Sequence, residues 1–258
     1  MKKPIAIIGL GEMGSVFARG LLKLGHPMYP ITRQTDINAA ANEIDPLFVL
    51  VAVAENDLHP VLETIPKQWQ NKLVLLQNEL LPRDWLKYSW AKAMPPSVIS
   101  VWFEKKKGQD SKVLIPSPIY GEFSQIISDA LASIDIPVKI LATENELELE
   151  LVIKNVYILT TNISGLMLEA GATVDTLWQQ HQTLAKEVAN EVIDLQEFLT
   201  SQTFNREQLI EGMVTAMKGD LEHKCMGRSA PARLQRALQL AEEANLTVSK
   251  LKEISNTK

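Results

Sequence analysis

Cysteine is nearly absent from this chain of 258 residues, which carries only Cys225. A lone thiol excludes an internal disulfide framework and cannot by itself build a thiolate metal site, so a reducing compartment fits best. With no Cys-x-x-Cys motif around it, Cys225 reads as an inert helix thiol. Histidine is scarce as well: His26, His59, His181 and His223 are scattered, with no two at the short spacing that puts two imidazoles on one metal, and no metal is expected. Long apolar runs are missing. The longest, residues 48–54, is far short of a membrane span, and the Met-Lys-Lys start enters a strand pattern without a signal-peptide cleavage pattern. No membrane partner and a cytoplasmic location are therefore expected. Positive charge is not in excess either. A formal net charge of −5 argues against a nucleic-acid surface, since phosphate binding is driven by clustered Lys and Arg, and any anionic ligand must meet a local basic patch.

What is present is the balance of an ordinary globular protein, 46% hydrophobic and 22% charged, at a length comfortable for two domains. Ile5-Ala6-Ile7-Ile8 is a continuous apolar run of the kind buried on both faces of a parallel sheet. Residues 15–24 follow with the helical period Val16, Phe17, Gly20, Leu21, Leu24 and stop at Gly25, a good helix-ending residue. Strands are then expected at 28–32, 47–53, 73–76, 98–103, 112–115 and 138–141. This alternation predicts an α/β, doubly wound sheet over residues 1–142. At Thr143-x-x-Glu146 a capping box begins a different regime without strands, so residues 143–258 are expected to form an all-helical domain. Within it, Leu177, Leu184, Val188, Val192, Leu195 and Leu199 fall on one stripe, which predicts a single amphipathic core helix over 177–199. So apolar a domain leaves room for a homodimer. The run Glu104-Lys105-Lys106-Lys107-Gly108 reads as a solvated turn without function.

The chemistry starts at Gly9-Leu10-Gly11-Glu12-Met13-Gly14, a G-x-G-x-x-G placed between the first strand and the first helix. Gly9 would make the tight turn, Gly11 would let the backbone approach a pyrophosphate, and Gly14 would allow close helix–strand packing. The helix N-terminus would offer free N–H groups to the anion. These six residues are the expected cofactor cradle of a Rossmann-type domain. A site for NAD wants a carboxylate at the end of the second strand, where this chain has Thr32-Arg33-Gln34. The guanidinium of Arg33 suits a 2′-phosphate, so NADP is the expected cofactor. Asp36 lies close enough to keep NAD open, and an exposed loop arginine is the plain alternative for Arg33.

The opening motif resembles that of the 6-phosphogluconate and 3-hydroxyisobutyrate dehydrogenase superfamily, and later segments are similar to its ketopantoate reductase branch. Leu75-Leu76-Gln77-Asn78 is similar to that family's Leu-x-Gln-Asn-Gly, with Glu79 in place of glycine. Tyr120-Gly121-Glu122 resembles an Ile-Gly-Glu turn, and residues 215–222 resemble a Ser-Ser-Met-x-Gln-Asp stretch that places Thr215 at the substrate. Residues 237–254 are similar to the closing helix and tail. The resemblance implies a Rossmann-type sheet followed by a helical domain, with Asn78 beside the nicotinamide and the substrate in a cleft between domains. It also implies that a lysine and asparagines on one helix hold and protonate a substrate carbonyl.

On a helix, Glu150, Lys154, Ile158 and Asn162 share a face, so Lys154 and Asn162 can point together; the resemblance makes Lys154, assisted by Asn162, the expected proton donor and oxyanion partner. A lysine snorkelling over a helix without catalytic work is the alternative. The family's asparagine four residues after its lysine corresponds to Ile158, unless the register shifts to put Glu150 at the lysine and Lys154 at the asparagine. The family's Thr-Glu-Ile-Asp glutamate would fall within Gly227-Arg228-Ser229-Ala230-Pro231, which holds no carboxylate. Arg228 or Ser229 would then grip the substrate. Two functions follow: an NADP-dependent reductase of a small 2-oxo acid or related carbonyl or imine, or a catalytically inactive NADP-binding sensor or partner protein.

Overall fold

Four apolar residues in succession leave a strand no side to turn toward water, and Ile5–Ile8 accordingly forms β1 with all four residues buried. The structure, a computed structural model, describes residues 2–257 and divides into two compact units, Met1–Glu150 and Leu151–Lys258.

In the first unit β1 is followed by α1 (Glu12–Lys23), β2 (Met28–Ile31), α2 (Ile37–Glu43), β3 (Val49–Val51), α3 (Glu55–Thr64) and a 3-10 turn (Lys67–Lys72). Then come β4 (Leu73–Gln77), α4 (Pro82–Leu86), α5 (Ser89–Ala93), β5 (Ser97–Ser100), β6 (Phe103–Glu104) and β7 (Lys112–Val113). The series ends with β8 (Ser117–Tyr120), α6 (Ser124–Ala132) and β9 (Val138–Ile140). The main sheet has the order β2-β1-β3-β4-β5-β8-β9. β1 to β5 are mutually parallel, β8 is antiparallel to β5, and β9 is parallel to β8. Strand order reverses at β1, with β2 on one side and β3 on the other. This is the doubly wound arrangement expected from the alternating pattern.

Two details differ from the expectation. The strand expected at 98–103 is divided: Ser97–Ser100 stays in the sheet, while Phe103–Glu104 leaves it to pair with Lys112–Val113 as a separate hairpin. Trp102 marks the exit, its N–H turning to Ser117 Oγ at 2.9 Å. β8 itself was not foreseen, because Ser-Pro-Ile-Tyr has no alternation and contains proline, which demotes a strand. Pro118 is tolerated because pairing with β5 uses only Ile119 and Tyr120.

One face of the sheet carries α1 and α6, which pack directly on each other. Their backbones approach so closely at Gly20 that a Cβ there would lie 2.3 Å from Ala130 O. Phe17 meets Phe103 with ring centroids 6.0 Å apart, and Phe48 meets Phe123 at 5.2 Å.

The division between the units falls inside α7 (Glu144–Gly165). Thr143 caps this helix, accepting from Glu146 N at 3.2 Å, while the Glu146 carboxylate reaches back to Ala142 N at 2.8 Å. The expected box is thus present with its return bond displaced by one residue. The second unit continues with α8 (Val174–Gln180), α9 (Gln182–Thr200), α10 (Arg206–Gly219), α11 (Ala230–Glu243) and α12 (Ser249–Asn256). Among its described residues there is no strand beyond an isolated bridge between Thr173 and Lys224. The single helix expected over 177–199 is two, broken at His181 (φ −129°, ψ 34°). Leu177 and Leu184 keep the same spacing in the sequence whether or not the helix is continuous, so periodicity could not register the break. Gly212 lets α10 close on Ile153 of α7. Glu191 of α9 caps α12 through Lys250 N and Leu251 N at 2.8 and 2.9 Å.

The α1–α6 contact yields a test of the first unit's packing. Gly20→Val forces two backbones apart and should cost roughly 1–3 kcal/mol in urea unfolding, read as a lower midpoint with unchanged slope.

Candidate functional site

At the carboxyl end of β1 the chain makes a turn that only glycine allows. Gly9 has φ +91°, and a Cβ on it would lie 2.5 Å from Ala52 O in the segment after β3. A Cβ on Gly14 would lie 2.2 Å from Gly9 O. Gly11 is different: a Cβ there meets nothing within 4 Å, and its backbone φ of −85° is ordinary. Two glycines therefore serve the fold, and the third leaves the approach to the first turn of α1 open. The leading amides of α1, at Glu12, Met13 and Gly14, have no intrahelical acceptor and carry the positive end of the helix dipole. Leu10 is half exposed beside them, while Met13 packs toward the core. Such a terminus, at the point where strand order reverses, can receive an anion such as a diphosphate.

The loops after β2 and β3 flank this turn. Thr32 and Thr35 close the first loop through their hydroxyls, with Thr32 N donating to Thr35 Oγ1 at 3.0 Å and Gln34 N to Thr32 Oγ1 at 3.3 Å. Arg33 and Gln34 are left exposed at the tip. Arg33, with 95% of its side chain exposed, lies 3.7 Å from Asp57 on the first turn of α3. Asp36 instead caps α2, accepting from Asn38 N and Ala39 N at 2.9 and 3.1 Å. Its carboxylate is committed to the helix, and Asp57 is the carboxylate that the sequence did not single out. Only the placement of β2 and β3 on either side of β1 brings Asp57 toward Arg33. Asn78 follows β4 at the same edge, exposed, and the next N–H, that of Glu79, donates to Glu55 Oε1 at 3.1 Å. All ten residues expected at a cofactor thus lie beyond the carboxyl ends of β1, β2 and β4.

In the second unit α7 buries an unusually polar face. Lys154 is 6% exposed and Asn162 9%. The Glu150 carboxylate is engaged by Lys139 of β9 at 2.8 Å. Asn162 Oδ1 accepts from Arg233 Nη1 at 3.0 Å, and a Cβ on Gly227 would lie 3.6 Å from the same oxygen. The donor end of the Asn162 amide makes one long bond, from Nδ2 to Thr161 Oγ1 at 3.5 Å. Arg228 and Ser229 are exposed just before α11, and Ser229 makes no capping bond. Thr215 is exposed on α10 and donates to Glu211 O at 2.8 Å. The structure therefore joins Asn162 with Gly227 and with Arg233, a residue that sequence reasoning missed. The signal was available, since Arg233 stands one helical turn after Ser229.

Cys225 lies in the loop before α11 rather than on a helix, with its N–H bonded to Ala172 O at 3.0 Å. Burial pushes its thiol up to about 11. Among the described residues no group of three or more His, Cys, Asp or Glu could hold a metal ion, and no helix is long and apolar enough to cross a membrane.

No protein-family model and no curated protein matches this sequence. Solved structures do. A dimeric ketopantoate reductase from Staphylococcus aureus superposes with a TM-score of 0.62 at 17% identity, covering 98% of this chain and 96% of that one. The fold is that of the ketopantoate reductases. A ketopantoate reductase from Ralstonia eutropha JMP134 gives a TM-score of 0.65 at 11% identity, over 97% and 95% of the two chains. D-mandelate dehydrogenase in complex with NADH gives 0.65 at 12% identity, over 98% and 96%. The likeness comprises a Rossmann-type first half and an all-helical second half.

The buried thiol gives a simple check on this loop. At neutral pH Cys225 should resist alkylation in the folded chain and react only on unfolding, because the thiolate is the reactive form and burial suppresses it. Rapid labelling of native protein, followed by mass spectrometry, would contradict that placement.

Proposed function

We propose that the chain is an NADPH-dependent reductase of a small 2-oxo acid or a related carbonyl or imine. The observation that carries this reading is the glycine turn, in which Gly9 and Gly14 are forced by packing while Gly11 alone leaves open space at a bare helix terminus. The structural neighbours that act on 2-oxo or 2-hydroxy acids support it. Gly9 to Gly14, through their backbone, hold the diphosphate, and Arg33, held at its loop tip by the Thr32–Thr35 bonds, takes the 2′-phosphate. Asp57 is the group Arg33 must leave to do so; so exposed a pair is worth little and is readily exchanged. Asn78 would stand beside the nicotinamide.

NADPH, when bound, would supply hydride-transfer chemistry beside these residues. Lys154 donates a proton from Nζ to the carbonyl oxygen as negative charge develops there, and solvent then reprotonates the amine. Asn162, its Oδ1 held by Arg233, turns Nδ2 toward the substrate as a second donor. Thr215, Arg228 and Ser229 complete the substrate contacts. The family's glutamate would fall within residues 227–231, which hold no carboxylate, so this chain would meet its substrate with donors and cations, which suits a carboxylate-bearing molecule. The loss of that glutamate also motivates the second reading, an NADP-binding protein without turnover.

Two experiments separate these readings. In calorimetry the wild-type chain should bind NADPH. Gly11→Ala should abolish binding with an unchanged melting temperature, and Arg33→Ala should weaken NADPH by about tenfold while leaving NADH unaltered, as loss of one charge-assisted contact implies. Equal loss for both nucleotides would show that Arg33 does not read the 2′-phosphate. NADPH oxidation across a panel of 2-oxo acids and imines then decides on turnover. An activity reduced about a hundredfold or more in Lys154→Ala supports the reductase, whereas tight binding without turnover in wild type supports the sensor.

A further inference from the structure

The lysine run at residues 105–107 is not idle surface. Lys105 sits in the β6–β7 hairpin, which is fastened to α1 by the contact between Phe103 and Phe17. From there its Nζ reaches Glu12 of the glycine motif at 3.4 Å, with the lysine side chain 18% exposed against 45% for the glutamate. The same Nζ donates to Lys106 O at 3.0 Å and to Gln109 O at 2.5 Å. An ammonium has three donors. Two are spent on the hairpin's own carbonyls and the third faces Glu12, so the charge is held in place rather than waving in solvent, and no N–H is left over for a ligand.

Glu12 needs such a partner. A carboxylate on the first turn stabilises the end of α1 through the helix dipole, but it does so by occupying electrostatically the position where an incoming diphosphate must lie. Unneutralised, it would repel the ligand that the open Gly11 backbone admits. We infer that Lys105 is a positioning residue of the dinucleotide site: it cancels the charge of Glu12 and so makes the terminus of α1 acceptable to a diphosphate. This rests on the dinucleotide reading above. It gives the β6–β7 hairpin, which contributes no strand to the main sheet, a part in binding.

The test is a double-mutant cycle on the full chain, with NADPH titrated calorimetrically at low ionic strength. Lys105→Met should weaken binding about fivefold, the scale of one unit charge acting over several ångströms near a protein surface. Lys105→Arg should retain wild-type affinity. Glu12→Gln should bind at least as tightly as wild type, and adding Lys105→Met to it should return the affinity to that of wild type, since both charges are then gone. High salt should erase the difference between wild type and Lys105→Met. The inference is overturned if Lys105→Met binds like wild type, if it remains weak in the Glu12→Gln background, or if its defect survives high salt. The second and third results would mean direct contact with the ligand or a disturbed hairpin, and melting temperatures distinguish those two. Absence of NADPH binding in wild type would remove the dinucleotide reading and this inference with it; a wild type that binds alongside an unaffected Lys105→Met removes the inference alone.

Discussion

A bare helix terminus can face an anion only if the chain entering it turns sharply without placing a side chain in the way, and here that turn is made against the backbone of a neighbouring strand. Gly9 lies against Ala52 O and Gly14 against Gly9 O, each at a distance no Cβ could occupy. The pairing of β1 with β3 is what brings Ala52 there. The glycine turn is therefore not a local motif decorating a strand; it is the closure of the β1–β3 junction. Because β1 to β5 are parallel, every loop that follows β1, β2, β3 and β4 emerges on the same edge. Arg33, Asp57 and Asn78 come to that edge for one topological reason.

The second unit works under a different constraint. Burying lysine and asparagine on a helix is costly unless their polar atoms are engaged, so such a face must be organised. Arg233 organises part of it by taking Asn162 Oδ1 and thereby fixing which end of the amide is presented. With glycine at position 227 and a guanidinium one turn into α11, the neighbourhood of Asn162 holds a cation and no carboxylate side chain at either of those two positions.

Strand existence along the first half was legible because parallel strands buried on both faces are continuous apolar runs, and β1, β3 and β4 are of that kind. β8 was not legible. Its membership in the sheet depends on lying between β5 and β9, and its four residues advertise neither alternation nor β-branched enrichment. The division of the 98–103 strand and the break at His181 were invisible for a related reason: a hydrophobic pattern records which residues are buried, not whether the backbone between them is continuous. Of the candidate residues, the glycines and Arg33 were singled out by type and spacing, and Asn78, Lys154 and Asn162 by the family resemblance. Asp57, Arg233 and Lys105 were not, since each matters through a partner distant in the chain.

Residue order alone determined β1, β3 and β4, the glycine turn and the change from sheet to helices at Thr143, because these depend on local conformational preference and on burial periodicity. Tertiary structure alone decided which polar side chains meet: Glu12 with Lys105, Arg33 with Asp57, Asn162 with Arg233. Those pairs lie 93, 24 and 71 positions apart. An electrostatic contact depends on distance through space, and no one-dimensional pattern encodes that distance until strand pairing and helix packing have set it.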